Sequence, residues 1–408
     1  MAQKLKFGNG TWANKEGSTL AYNDEGNNYK PLPFSFSRDS IGTRVNKEGL
    51  IEVVGNNKPR IDYTDSADGV LLLENSATNL ITYSSDLSVL SKVSVGSASS
   101  PVTTANYALA PDGTMTATRV VFDLNGGTTS QDRSILRQSI SSGDYYLSIY
   151  VKSTNGTEQK VMWHDGGEFN TTTVTNQWKR ITYDSRSGIS NVGIALNGTS
   201  GVDTSDILVW GFQAEANSFP SSYIPTSGST VQRAAETANG SGNSEVFNDS
   251  EGVLMVQTSI LDFSTSDSWI SISENSNINN NQFNLRFISN SNIIQAVSRA
   301  NGLGQDVVLQ HTINDKTAVN KISIKYKLND WGLWVNGFEV DTETSSNAFT
   351  PNSLDVLDFD RGNNSKFFYG KTKEIAYYDT ILTDLELEKL TSYRSLSELV
   401  TELNLNTL

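Results

Sequence analysis

The densest group of chemically competent side chains in this sequence is Glu339-Val340-Asp341-Thr342-Glu343. Side chains alternate along a strand, so Glu339, Asp341 and Glu343 are expected to share one face. Two carboxylates facing each other across a glycosidic bond can serve as nucleophile and acid/base, and glycoside hydrolysis is the chemistry this spacing allows. The same run also reads as a solvated strand face, because it directly follows the turn pair Asn336-Gly337. No other catalytic grouping emerges. The two histidines, His164 and His311, are far apart, and there is no cysteine, so neither a metal centre nor a Ser-His-Asp triad is expected.

Binding chemistry is better represented. In Trp163-His164-Asp165-Gly166-Gly167, Trp163 could stack on a pyranose ring while Asp165 accepts hydroxyl hydrogens; the favoured alternative is a strand end followed by a turn. Trp269 and Trp331 stand beside the polar turns Asp267-Ser268 and Asn329-Asp330, which makes them the candidate exposed aromatics. Trp178 and Trp210 fall within strand patterns and are expected in the core. The acidic turns Asp203-Thr204-Ser205-Asp206 and Asp355 to Asp360 raise structural calcium, although a hard cation needs six to eight converging oxygens that spacing does not show. No cofactor is expected: phosphate-loop, EF-hand and dinucleotide fingerprints are absent, and Gly302-Leu303-Gly304 lacks a strand-to-helix context.

The elements that must position these groups are strands. Short runs of Val, Ile, Thr, Tyr and Phe recur between clusters of Gly, Asn, Asp and Ser, as in Tyr145 to Val151, Gly252 to Thr258 and the strictly alternating Lys321 to Lys327. Asn336-Gly337 between two apolar runs predicts a hairpin. One helix is expected near the end, capped by Thr383 with Glu386 completing a capping box, and with Leu385, Leu387 and Leu390 as its apolar stripe. Residues 395–403 predict a tail helix. The fold class is therefore all-β: two β-sandwich domains after an irregular segment with few long strands, and short C-terminal helices.

Four segments follow from the composition: 1–84, rich in Gly, Asn and Asp; 85–234, a first sandwich; 235–392, a second, entered through the small polar linker Thr237 to Ser244; and 393–408, the tail. With 408 residues, 37% hydrophobic and 19% charged, the chain is long enough for more than one core. A net charge of −14 disfavours non-specific contact with nucleic acid or an anionic membrane. No apolar run approaches the roughly 20 residues that span a bilayer. The N-terminal Met-Ala-Gln-Lys-Leu-Lys-Phe-Gly lacks the apolar core of a secretory signal.

Several phrases occur together: Arg38-Asp39-Ser40 to Asn46, Gly49-Leu50-Ile51, Pro59-Arg60-Ile61-Asp62-Tyr63, Gly69 to Glu74, Thr78-Asn79-Leu80, Gln213-Ala214-Glu215, Ser222-Tyr223-Ile224-Pro225-Thr226 and Arg233-Ala234-Ala235-Glu236. In this order they resemble tailed-bacteriophage virion proteins of the tail- or head-fibre type. The middle segment is similar to carbohydrate-binding-module-like jelly rolls, and the third resembles concanavalin-like, laminin-G-type sandwiches through Leu333-Trp334-Val335-Asn336-Gly337 and Gly370 to Tyr378. The resemblance implies a virion structural protein, assembled in a host cytoplasm and released by lysis. It further implies attachment to other virion proteins through the N-terminal segment, symmetric homo-oligomers, and binding of a host-surface glycan, for which Trp269, Trp331, Trp163 and Asp165 are the candidate residues read from their local patterns. A purely architectural protein without sugar binding is the second reading. The third is a polysaccharide depolymerase using Glu339 and Glu343, since laminarinase-type hydrolases use an E-x-D-x-E strand; here Thr342 is polar where that pattern prefers an apolar residue.

Overall fold

The computed structural model describes the chain except residues 1–2, 15–18, 23–31, 166–169, 218, 262–265, 276 and 394–408. The fold is all-β, as the sequence predicts, and the chain separates into two compact units. Residues 1–41, 54–75 and 235–408 form unit 1, and residues 42–53 and 76–234 form unit 2. The first 84 residues are thus shared between both units instead of forming a segment of their own. Their strands are short, three to six residues each. Some pair with a near neighbour, as Trp12–Asn14 with Thr19–Tyr22 and Arg60–Asp62 with Val70–Leu73, but strands this short need more partners, and Gln3–Gly8 and Val70–Leu73 complete a sheet whose other members lie far along the chain.

Unit 1 is built on an eight-stranded antiparallel sheet. Its order runs Phe338–Glu343, Trp331–Val335, Asn320–Lys327, Glu251–Ile260, Gly370–Tyr378, Val70–Leu73, Arg60–Asp62, with Gln3–Gly8 also paired to Gly370–Tyr378. A five-stranded sheet, Val308–Thr312, Ile293–Arg299, Gln282–Phe287, Ser268–Ser273 and Val356–Asp358, completes the sandwich. Between the sheets lies a continuous apolar core including Leu254, Val256, Ile270, Ile272, Phe283, Leu285, Ile322, Ile324 and Leu333. The alternation of Gln282-Phe283-Asn284-Leu285-Arg286-Phe287 shows the logic: Phe283, Leu285 and Phe287 join the core, and Gln282, Asn284 and Arg286 face outward. Asn336 and Gly337 take φ of 51° and 94°, making the predicted tight hairpin turn. The expected linker is ordered over Thr237–Asn239, which pairs with Phe34–Ser37, and Ala238 is fully buried.

The helix α1 (Asp384–Thr391) carries the predicted capping box: Thr383 Oγ1 accepts from the Glu386 amide, and the Glu386 carboxylate accepts from the Thr383 amide at 2.9 Å. Leu387 is buried and Leu390 packs beside it, but Leu385 is exposed and does not belong to the stripe. Residues 395–403, the predicted tail helix, lie outside the described residues. Among the described residues no helix is long and apolar enough to cross a membrane.

Unit 2 holds an eight-stranded antiparallel sheet in which Arg133–Ser153 pairs with Lys179–Asn197 over most of their lengths. Register breaks near Ser139, Gly143 and Tyr145 interrupt both long strands. Such breaks bend a strand, and residues on both sides of them, Leu136 with Val192 and Leu147 with Ile181, enter one core.

The phrases behind the sequence resemblance turn out to be buried polar networks. In unit 1, Glu236 accepts from Arg38 Nη1 at 2.7 Å and from Arg60 Nε at 2.7 Å, and also pairs with Arg60 Nη2. Arg60 pairs with Glu74 at 2.8 Å. The remaining Arg38 donors reach the carbonyls of Ser40, Lys58, Val54 and Gly55. Arg38, Arg60 and Glu236 are completely enclosed. In unit 2, Asn79 Nδ2 donates to the Phe212 and Ile224 carbonyls, and Ser84 Oγ lies 2.7 Å from the Tyr223 hydroxyl.

Candidate functional site

The three carboxylates of the Glu339–Glu343 run do not share a face. The register of Phe338–Glu343 against Trp331–Val335 shifts between Leu333 and Trp334, so Trp334 opposes Glu339 while Leu333 opposes Asp341 and Trp331 opposes Glu343. Trp334 lies on the outer surface of the sheet, whereas Leu333 and Trp331 are core residues. One extra residue in the strand therefore turns Glu339 to the opposite side from Asp341 and Glu343. Asp341 accepts from the Gln310 amide at 2.8 Å, and Glu343 from the Thr344 and Ser345 amides at 2.8 and 2.9 Å. Alternation alone could not reveal the bulge.

The expected aromatic platforms are also displaced from the surface. Trp331 is buried among Phe283, Tyr326 and Phe349. Trp163 is buried in unit 2, stacked on Tyr183 and tilted against Phe212, and Asp165 accepts from the Tyr183 hydroxyl at 3.1 Å. A ring used for packing on its own sheet has no face left for a pyranose. Burial also pushes His164 down to about 4, with Arg137 adding to the effect. Trp269 is 5% exposed and is covered by guanidinium groups, Arg286 at 3.9 Å and Arg361 at 5.3 Å from the ring centre. Trp210 is core, as expected, and Trp178 is partly buried against the same small cluster. The acidic turns bind their own surroundings: Asp203 takes the Gly126 amide, Asp206 pairs with Arg119, and Asp358 takes the Gly240 amide. Among the described residues no three His, Cys, Asp or Glu side chains are grouped to hold a metal.

A cleft of about 390 Å³ lies on the outer surface of the eight-stranded sheet of unit 1. The helix α1 covers one part of that surface through Leu387, packed with Val253, Met255, Trp334 and Tyr378. The part it leaves uncovered is the cleft floor. There the sheet register sets Glu374, Gln257 and Lys321 in one cross-strand row. Lys6 pairs with Glu374 at 2.9 Å. Lys321 donates to the Ser392 carbonyl at 3.0 Å and lies over the Tyr393 ring. Gln257 is 4% exposed, and among the described residues its Nε2 has no hydrogen-bond partner. A buried amide N–H₂ left open in a cleft is a donor waiting for an acceptor. Four lysines line the cleft, Lys6, Lys321, Lys373 and Lys389, against two carboxylates, Asp68 and Glu374. The sequence held a trace of this arrangement: in Lys321 to Lys327 the lysines alternate with the apolar side chains that fill the core, which places them on the outer surface.

The chain matches no protein-family model and no curated protein. Among solved structures it is similar to the CBM40 of the Ruminococcus gnavus IT-sialidase bound to α2,3-sialyllactose, 16% identical over 38% of this chain and 94% of that one, with a TM-score of 0.31. It is likewise similar to domain 4 of AbnA, a GH43 extracellular arabinanase from Geobacillus stearothermophilus in complex with arabinotriose, with 11% identity over 39% and 73% of the two chains and a TM-score of 0.31. Sheep galectin-11 in complex with glycerol is a third, 8% identical over 31% and 85%, at 0.22. Two of these three structures hold a saccharide, sialyllactose in one and arabinotriose in the other.

Proposed function

We propose that this protein binds glycans without cutting them, and that unit 1 does so through the cleft over its eight-stranded sheet. The observation that carries the reading is the cleft itself: about 390 Å³, floored by Gln257 with an open amide donor and edged by lysines and amides. Small-ligand sites are concave and orient their ligands with a few convergent polar groups. Amide and ammonium donors suit sugar hydroxyls, whose oxygens accept and whose hydrogens can be passed to Glu374. Against cleavage stands the bulge that parts Glu339 from Asp341 and Glu343. Reducing-sugar release from surface polysaccharide that is lost in Glu339→Gln would overturn the non-catalytic reading. A glycan array tests the binding: the parent chain should retain a subset of neutral oligosaccharides, and Gln257→Ala should lose them while keeping its melting temperature.

The setting we propose is a virion, with the chain as a fibre or adhesin component, and its support is the sequence resemblance over residues 38–236. Oligomerisation and attachment to other virion proteins rest on the same resemblance. Because the signature residues Arg38, Arg60, Glu74 and Glu236 are enclosed within unit 1, they act on folding and not as an attachment surface.

A further inference from the structure

The outer surface of the five-stranded sheet carries a second unusual grouping. The register places Trp269 opposite Arg286 and Gln282 opposite Arg299. Beyond them the turn from Asp360 lies on the sheet, held by Ser271 Oγ donating to the Asp360 carbonyl at 2.8 Å and by Gln282 donating to the Arg361 carbonyl. Gly362, at φ 89°, makes this approach possible, since a Cβ there would stand 2.7 Å from Ser273 Oγ. The seated turn brings Arg361 over the indole of Trp269 from one direction while Arg286 covers it from another.

Two guanidinium groups therefore cover one tryptophan, and a third, Arg299, acts on the charge of Arg286, in a chain of net charge −14. Among the described residues none of the three is ion-paired. The nearest carboxylate influence on Arg286 is Asp267, which accepts from the Ser289 amide at 3.0 Å and forms no ion pair with the arginine. The hydrogen bonds the three side chains do make are to amides: Arg286 Nε to Asn284 at 2.7 Å and Arg361 Nη2 to Asn279 at 3.2 Å. Among the described residues four enclosed donors have no partner, namely Arg286 Nη2, Arg299 Nε, Arg361 Nε and Trp269 Nε1. Arg286 is only 6% exposed. Burial, and then the neighbouring Arg299, push it down to about 10. Enclosing like charges with open donors is unfavourable unless something else supplies the counter-charge.

We infer that this surface is an oxyanion site, which takes the carboxylate or sulfate of an acidic saccharide between Arg286, Arg299 and Arg361 with the Trp269 N–H as a further donor. Planar guanidinium forks suit both oxyanions and can bind them in bidentate fashion. The surroundings favour a sugar as the carrier. The exposed Asn279, Asn363 and Asn364 and the Gln295–Gln310 pair offer uncharged amides where hydroxyls would lie. This site is on the opposite sheet from the Gln257 cleft, and the inference does not depend on the cleft reading.

The test is calorimetric titration and thermal melting of the full chain with a hexuronate oligosaccharide, a sulfated one, a neutral one of the same length, and sodium sulfate alone. An acidic saccharide should bind and raise the melting temperature, with the neutral one and free sulfate at least tenfold weaker; which acidic arm wins identifies the oxyanion. Arg286→Met and Arg299→Met should each weaken acidic binding tenfold or more and leave Gln257-dependent binding of neutral sugars intact. Without ligand, Arg286→Met should melt at or above the parent temperature, because it removes an uncompensated charge. A lower melting temperature in Arg286→Met together with no response to either acidic saccharide would make the cluster structural and overturn the inference. Equal response to free sulfate and to the saccharides would overturn the saccharide assignment. Loss of neutral binding in Gln257→Ala alone would bear only on the cleft.

Discussion

Unit 1 contains two groups of arginines, and they are solved in opposite ways. Arg38 and Arg60 are enclosed with Glu74 and Glu236, and nearly every donor they own reaches a carboxylate or a carbonyl. Among the described residues Arg286, Arg299 and Arg361 have no carboxylate partner and leave donors open, and two of them, Arg286 and Arg361, cover the Trp269 ring. The effect on acidity runs in opposite directions as well. Glu236 and Glu74 outweigh burial and drive Arg60 far above the usual guanidinium range, whereas burial beside Arg299 lowers Arg286 to about 10. The difference separates two purposes. A charge network complete within the chain fixes the fold, and one left incomplete is arranged for a partner.

The contrast is broken most forcefully at Glu236. Glu236→Ala removes the one carboxylate common to Arg38 and Arg60, strands the enclosed Arg38 and leaves Arg60 with Glu74 alone, so unfolding by urea should show a loss of about 3–5 kcal/mol in unit 1. The Arg286→Met substitution should act with the opposite sign, a gain of about 1 kcal/mol in the same measurement. If both variants lost stability alike, the distinction between the two groups would fall. The smallest effect concerns a lone charge of the other sign. Asp358 is buried and among the described residues takes the Gly240 amide alone, with Asp360 and Asp355 nearby, and burial first of all raises its carboxyl to about 7. The folded state then holds a proton that the unfolded chain releases near pH 3.8. Its contribution is favourable below about pH 4 and declines as pH rises through 7. Asp358→Asn should flatten that part of the stability–pH profile, measured by urea midpoints from pH 4 to 8.

Much of this was legible beforehand, and the parts that were not have physical reasons. Alternation in Lys321–Lys327 and the Asn336-Gly337 pair identified a strand and a hairpin, because both signals are local. The Thr383–Glu386 capping box was readable for the same reason. Trp269 and Trp331 misled because adjacency to a polar turn says nothing about which side of a sheet a ring takes. Their burial is decided by Arg286 and Arg361 in one case and by Phe283, Tyr326 and Phe349 in the other. The Glu339 run misled because a bulge depends on the partner strand. The cleft was hidden because Gln257, Lys321 and Glu374 meet only through pairing between strands far apart in sequence. Arg38, Arg60 and Glu236 stood out as phrases, but only their enclosure shows that they stabilise the fold.

The path of the chain between the units has a consequence for how the molecule is made. Leu5 pairs with Tyr377, and the strand Val70–Leu73 pairs with the segment beginning at Gly370. Glu236, which neutralises Arg38 and Arg60, likewise emerges long after both. During synthesis, Gln3–Gly8 and the free edge of Val70–Leu73 must wait for Gly370–Tyr378 until nearly the whole polypeptide has left the ribosome, while residues 76–234 can already close their own sheet. Topologies dominated by distant contacts fold slowly and expose strand edges meanwhile. Unit 2 should therefore mature first, and truncation before Gly370 should leave unit 1 without its central strand and prone to aggregate, with unit 2 still folded.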